Sequence, residues 1–262
     1  TAALIEKEMA ANGGLIDRED LKAYRPRKRV PVRGTYRGFE IISMPPISSG
    51  GVALIQQLNV LEGYDLKSLG FRSAASIHLI AEAMRRAYAD RARYLGDPDF
   101  NPGMPVSRLI SKEYAAELRR SISAERASVS SPTRFDWPAE SDETTHLSVV
   151  DGDRNAVALT YTLEYGYGSR IVVPGAGFLL NNEMGDFNAG PGLTTADGLI
   201  GTEPNLARPR KRMLSSMTPT IVARDGKLFM VTGSPGGRTI INTVLHTILN
   251  VIDYGMGAQE AV

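Results

Sequence analysis

The spacing of apolar and polar residues changes character several times along this chain, and each change marks an element. Ala2 to Ala11 has helical composition, and Asp17-Arg-Glu-Asp20 opens a short second helix to Tyr24 in the manner of a capping box. Val32–Tyr36 and Phe39–Met44 read as a hairpin. Helical spacing then returns at about 52–63, 74–94 and 111–121. In the 74–94 helix Ile77, Ile80, Ala81, Met84, Tyr88 and Leu95 share a stripe, which predicts the core-facing side.

From Ser121 to Glu143 (SISAERASVSSPTRFDWPAESDE) the periodicity lapses into Ser, Pro, Ala and charge, predicting an exposed connection open to cleavage. Beyond it, residues 145–150 (THLSVV) and 156–163 (AVALTYTL) have strand composition and flank the turn cluster Asp151 to Asn155. A three-residue loop, Gly152 to Arg154, sets Thr144 opposite Thr162, whereas a two-residue loop sets Tyr161 there. The first register is preferred because it sorts the side chains cleanly. Thr145, Leu147, Val149, Val157, Leu159 and Tyr161 then share an apolar face, and Thr144, His146, Ser148, Ala158, Thr160 and Thr162 a small, polar one. Strand and turn continue to Asp186, Thr220–Arg224 and Lys227–Thr232 form a hairpin about Asp225-Gly226, and a last helix spans about 239–254. Pattern alone reaches an α+β fold without internal repeats.

With 262 residues, 42% of them hydrophobic, the chain can bury a substantial core. Thirty basic against 29 acidic residues remove any global argument for nucleic acid. Two basic clusters, Arg25–Arg33 and Arg208–Arg212, read as solvated segments without the aromatic interleaving of a single-strand groove. There is no cysteine, and His78, His146 and His246 lack zinc-ligand spacing, so neither a metal nor a cofactor is predicted. His78 and His246 are read as satisfied within apolar helices, and His146 as structural rather than a general base. No apolar window approaches the roughly 18 residues of a membrane span, so no transmembrane segment is predicted in this portion. Thr1 is not a natural start, and no signal peptide is visible.

The candidate chemistry lies at Glu143-Thr144-Thr145-His146, where the connection ends and the hairpin begins. A threonine hydroxyl is a weak nucleophile and needs an adjacent base. If the chain were cut before Thr144, the freed α-amino group, with a pKa of about 7.7–8.0, would be that base in the same residue. Spacing alone favours an ordinary strand threonine.

Six motifs, in order, change that balance: Met44-Pro-Pro-Ile-Ser-Ser-Gly-Gly51, Tyr88-Ala-Asp-Arg91 with Leu95-Gly-Asp-Pro-Asp99, Thr144-Thr-His146, Leu179-Leu-Asn-Asn182 with Met184-Gly-Asp-Phe187, Leu214-Ser-Ser-Met217, and Thr232-Gly-Ser-Pro-Gly-Gly237. Through them, from Asn12 to Gly255, the chain resembles the γ-glutamyltransferases (γ-glutamyltranspeptidases) of the N-terminal nucleophile hydrolase superfamily. The resemblance implies an αββα sandwich, truncated here at both ends. It also implies a precursor that cuts itself between Glu143 and Thr144. Residues 1–143 would then be the C-terminal part of the large subunit and 144–262 the N-terminal part of the small one, the two forming one fold. Thr144 would attack glutathione or another γ-glutamyl amide, form a γ-glutamyl ester, and pass the acyl group to an amino acid, a dipeptide or water.

Carried over by motif, Thr162 would hydrogen-bond the nucleophile, and Gly236 and Gly237 would form the oxyanion hole. Glu164, Glu183 and Asp186 would hold the substrate ammonium, and Ser215 and Ser216 its carboxylate. Local reasoning supports these roles unevenly. Carboxylates suit an ammonium, which offers three donors and no acceptor, but Asp and Glu are usually solvated loop charges. The serines serve equally well as local backbone partners. A plain turn before a helix needs only one glycine, and two amides at a helix start suit a developing oxyanion.

The resemblance further implies a large-subunit portion before Thr1 carrying an arginine for the substrate carboxylate, and further strands after Val262. The loop 188–211 has the length of a lid, although it reads Leu193-Thr-Thr-Ala-Asp197 where some relatives carry an aromatic gate. Export in bacterial members implies a periplasmic or extracellular location. Two other readings stand beside the transferase: an acylase of the same family acting on glutaryl amides such as cephalosporin side chains, and a non-catalytic scaffold or fragment that never matures.

Overall fold

The computed structural model describes residues 1–129, 144–188 and 203–262. In chain order its elements are α1 (Ala2–Ala11), α2 (Arg18–Ala23), β1 (Val32–Tyr36), β2 (Phe39–Ser43), α3 (Gly50–Leu61), α4 (Leu66–Leu69), α5 (Ala74–Tyr94), α6 (Val106–Leu109) and α7 (Lys112–Arg120). After the connection come β3 (Thr144–Val150), β4 (Ala156–Thr162), β5 (Thr220–Arg224), β6 (Lys227–Thr232), α8 (Ile240–Ile252) and α9 (Ala258–Ala261). The capping box at Asp17 and Asp20 forms as its sequence predicts. The short α4, α6 and α9 have too few residues for a period to register, and they were not anticipated.

One antiparallel sheet has the order β1-β2-β5-β6, so strands from before and after the connection share a single hydrogen-bonded layer. Its two hairpins turn through Arg37-Gly38 and Asp225-Gly226, all four residues at positive φ. That geometry matches the right-handed twist of the flanking strands. On one face of the sheet lies α3, buried along its whole length, with α5, α7 and α8 around it. Leu54 and Leu58 of α3, Ala83 of α5, and Val244, Leu245 and Ile248 of α8 are buried with Tyr36, Ile41 and Val222 of the sheet in one cluster.

The stripe predicted for α5 faces the core at Ile80, Met84, Tyr88 and Leu95 but not at Ile77 and Ala81. Ile77 is 55% exposed and Ala81 is exposed, while Ser76, Leu79, Ile80, Glu82, Ala83, Ala87 and Asp90 are buried. Two acids can face inward because each is bonded. Asp90 accepts from Gln56 Nε2 (2.5 Å) and from the Tyr114 hydroxyl (2.9 Å). Glu82 accepts from Ser128 N (2.9 Å) and pairs with Arg86. Burial raises its pKa, but the hydrogen bonds from Ser128 and Arg86 outweigh that and hold it at about 2. The start of the predicted connection is therefore fastened to α5 at Ser121 and Ser128 although most of its side chains are exposed.

The basic clusters also differ from their expectation. Arg212 donates to Tyr24 Oη (3.2 Å) and the Arg25 carbonyl (2.6 Å), which brings the two clusters together, and Lys211 is buried against Phe100.

Strands β3 and β4 form a second sheet lying against β5 and β6. Their loop is the three-residue type: Arg154 N donates to the Asp151 carbonyl (3.0 Å), and Arg154 is left-handed at φ 65°. The polar face is the inward one, with Thr160 buried, whereas Leu147, Val149, Val157, Leu159 and Tyr161 are 46–56% exposed. Helices, four-stranded sheet and hairpin make three layers of a sandwich among the described residues. After β4 the chain is largely irregular, with an isolated bridge at Val172 and Leu179 and a 3₁₀ turn at Glu183–Asp186.

Candidate active site

The hairpin register places Thr144 opposite Thr162, as the alternation predicts. Thr162 Oγ1 accepts from the Glu164 amide (2.8 Å), so the threonine facing the candidate nucleophile is anchored to the first of the three acids. His146, two residues along on the same face, bonds Thr160 Oγ1 (2.7 Å) and Ser148 Oγ (3.0 Å), and burial lowers its pKa. Held between two hydroxyls, the imidazole can accept from one and donate to the other. Its ring lies against Gly233, where a Cβ would come within 2.1 Å of Cε1. The segment leading to Gly236 and Gly237 thus begins beside β3.

Gly236 and Gly237 have φ of 123° and 51°, conformations that disfavour side chains, and they lead through a 3₁₀ turn, Gly237–Thr239, into α8. The Gly236 carbonyl accepts from Thr239 N and Oγ1, which fixes the turn. Tyr88 of α5 donates to the Arg238 carbonyl from the other side.

Asn182 gathers the acids. Its amide donates to the Leu163 carbonyl (3.1 Å) and its Oδ1 accepts from Tyr165 N (3.1 Å), so the exit of β4 is tied to the 3₁₀ turn. Glu164, left-handed at φ 74°, lays its carboxylate over Gly185, with Oε1 2.3 Å from where a Cβ would stand. Glu183 and Asp186 occupy the same turn. Burial, then the charges of Asp186 and Glu164, push the Glu183 carboxyl up to about 7. Its Oε1 is buried with no hydrogen-bond partner among the described residues.

Asn205 joins this group to the serines, donating to the Asp186 carbonyl (2.7 Å) and accepting from Leu214 N (2.9 Å). Ser215 and Ser216 follow, both nearly buried. Ser215 Oγ accepts from Met217 N (3.0 Å) and Ser216 Oγ from Arg91 Nη2 (2.9 Å). Each hydroxyl then has its proton left to give, the disposition an anion requires. The start of α3 holds the backbone here: Ser49 N donates to the Ser215 carbonyl (2.9 Å) and Ser48 Oγ to that of Met217 (2.6 Å). Only glycine fits at position 50, where a Cβ would lie 2.3 Å from Thr218 Oγ1.

Every site residue named from the sequence therefore falls on one continuous set of contacts except Glu143, which lies outside the described residues, as does Leu193–Asp197 of the loop expected to act as a lid. Asn182, Asn205, Arg91 and Ser49 received no role from the sequence. Asn182, Arg91 and Ser49 stand in quoted motifs and Asn205 in none, and nothing in local spacing reveals bonds to residues far along the chain.

A threonine-headed hairpin stacked on a second sheet, with helices outside, defines the N-terminal nucleophile hydrolase type of fold. Within it, the chain belongs to the γ-glutamyltranspeptidase family, whose model ("Gamma-glutamyltranspeptidase") matches residues 1–262. It is 51% identical over 262 residues to "Glutathione hydrolase proenzyme" of Escherichia coli (strain K12), covering 99% of this chain and 45% of that protein. With "Glutathione hydrolase proenzyme" of Pseudomonas sp. (strain A14) it shares 49% over 255 residues, 97% of this chain and 44% of the other. The crystal structure of cephalosporin acylase from Bacillus halodurans superposes with a TM-score of 0.82 at 27% identity, over 99% of this chain and 44% of that one. The chain thus spans less than half the length of these relatives.

Proposed function

We propose that this chain is the catalytic portion of a γ-glutamyl acyltransferase and hydrolase, matured by self-cleavage between Glu143 and Thr144. The parts 1–143 and 144–262 then remain one fold, held by the sheet they share. The freed α-amino group takes the Thr144 hydroxyl proton as Oγ1 attacks the γ-carbonyl of glutathione or a related amide. Negative charge on the carbonyl oxygen faces the Gly236 and Gly237 amides. The tetrahedral intermediate expels the amine, which leaves with the proton, and a γ-glutamyl-Thr144 ester remains. Water, an amino acid or a dipeptide takes the acyl group from it. Glu164, Glu183 and Asp186 hold the substrate ammonium, and Ser215 and Ser216 its carboxylate. A periplasmic or extracellular location agrees with the family; no helix among the described residues is long and apolar enough to cross a membrane.

The observation that carries this reading is the crowding at Glu183, a carboxylate pressed by two others with one oxygen buried and unbonded. An ammonium relieves that arrangement, and a ligand without one leaves it standing. The likeness to cephalosporin acylase favours a second reading, hydrolysis of glutaryl amides. The full-length parent protein and its Thr144→Ala variant decide between them. Two fragments meeting at Thr144 in the parent alone, with a γ-glutamyl anilide preferred over a glutaryl anilide, are expected. The opposite preference moves the assignment to the acylase, and a parent that stays whole and inert leaves a scaffold.

A further inference from the structure

We propose that Arg91 is a positioning residue that aims the Ser216 hydroxyl at the substrate carboxylate, a role that rests on the acyltransferase reading above. Arg91 lies in the last turn of α5, and its guanidinium spans two hydroxyls: Nε to Ser49 Oγ (2.8 Å) and Nη2 to Ser216 Oγ (2.9 Å). A guanidinium has donors only, so both oxygens must accept from it and direct their own protons elsewhere. Ser49 gives its proton to the Ser215 carbonyl (2.8 Å). Ser216 has no acceptor among the described residues, so its proton is the one left over. Ser215 is oriented by the neutral Met217 amide, whereas Ser216 accepts from a cation, which polarises the O–H and makes it the stronger donor.

The fork matters as much as the charge. Ser49 is held by the Ser215 carbonyl through both its amide and its hydroxyl, so it fixes the plane in which Arg91 approaches Ser216. Two positions three residues apart on α5 divide the bracing: Tyr88 holds the turn after Gly237, and Arg91 holds the serine segment. Arg91 acts through Ser216 rather than by contact with the substrate.

The test is a mutant cycle on the full-length, self-cleaved protein, using Arg91→Met, Ser216→Ala and the pair, with kcat and KM for a γ-glutamyl anilide. Arg91→Met is expected to raise KM by about tenfold or more, the loss of a charge-assisted hydrogen bond, with kcat changed far less. The double variant is expected to be no worse than Ser216→Ala. Arg91→Lys keeps the charge but cannot bridge two hydroxyls, so it should recover only part of the loss. If Arg91→Met fails to mature, the same cycle is run with Arg91→Lys. Losses that multiply in the double variant, or a fall in kcat with KM unchanged, overturn the proposal. A wild-type protein inert toward the anilide overturns the acyltransferase reading instead, so the two failures are told apart.

Discussion

At one end of the proposed substrate cradle, Ser215 and Ser216 each accept a hydrogen bond from a fixed donor and keep one proton to give. At the other end Glu183 is crowded by Asp186 and Glu164, and its Oε1 is buried without a partner. The serine end is a finished network of neutral hydroxyls, so a carboxylate can bind with little rearrangement and without a change of protonation. The acidic end carries an electrostatic cost when Glu183 is ionised, which a proton or a bound cation removes. Selectivity for an ammonium-bearing substrate should therefore reside in the acids, and geometric fit in the serines.

The sharpest way to break this contrast is to remove one charge and keep its shape. Asp186→Asn is expected to lower kcat/KM for a γ-glutamyl anilide by about 100-fold, the upper range for a hydrogen bond to a charged group. Turnover of a glutaryl anilide, which lacks the ammonium, should hold or improve. Equal losses on both substrates would mean that Asp186 supports the fold rather than recognising charge.

Asn205 tests whether the two ends are coupled. It is buried, and its side chain alone spans the Asp186 carbonyl and the Leu214 amide. Asn205→Leu leaves both backbone groups without that partner, at about 1–3 kcal/mol each. A lower melting temperature is expected, with KM raised about tenfold for both the γ-glutamyl and the glutaryl anilide, because both ends lose their register. A rise confined to the γ-glutamyl substrate would place Asn205 with the acids only.

How much of this was legible follows from how far each interaction reaches along the chain. The pairing of Thr144 with Thr162 was, because a three-residue loop and strict alternation fix it locally. Alternation sorted the two faces of the hairpin but gave no sign of which one turns inward, and the small, polar one does. The stripe on α5 was legible at Ile80, Met84, Tyr88 and Leu95, but its buried acids were not, because hydrophobic period treats an acid as outward. Glu82 and Asp90 are inward through partners 46 and 34 residues away. Arg91 reaches Ser216 across 125 residues, beyond any spacing rule. Family motifs supplied the acids, serines and glycines, whereas the asparagines and the arginine that hold them needed the fold.

The smallest expected effect is also the one that only the acidic end can produce. The Glu183 carboxyl is pushed up to about 7 in the folded protein against 4.5 for the free side chain, so between about 4.5 and 7 the folded state keeps a proton that the unfolded state has released. The sign follows from linkage: without ligand, the contribution of Glu183 to stability is fullest below 4.5 and is lost as pH rises through about 7. Binding of L-glutamate, which brings an ammonium, should run the other way and strengthen about three- to tenfold between roughly pH 5.5 and 7.5 as the carboxylate ionises. Glutarate, with no ammonium, should weaken over the same range. Calorimetric titration of both ligands checks this apart from turnover, whose rate the α-amino group proposed to be freed at Thr144, with a pKa of about 7.7–8.0, would also govern. Glu183→Gln should flatten both slopes, and Ser215→Ala should lower both affinities while leaving the slopes as they were. A slope that survives Glu183→Gln would assign the titration to another group and remove the acidic end's claim to selectivity by charge.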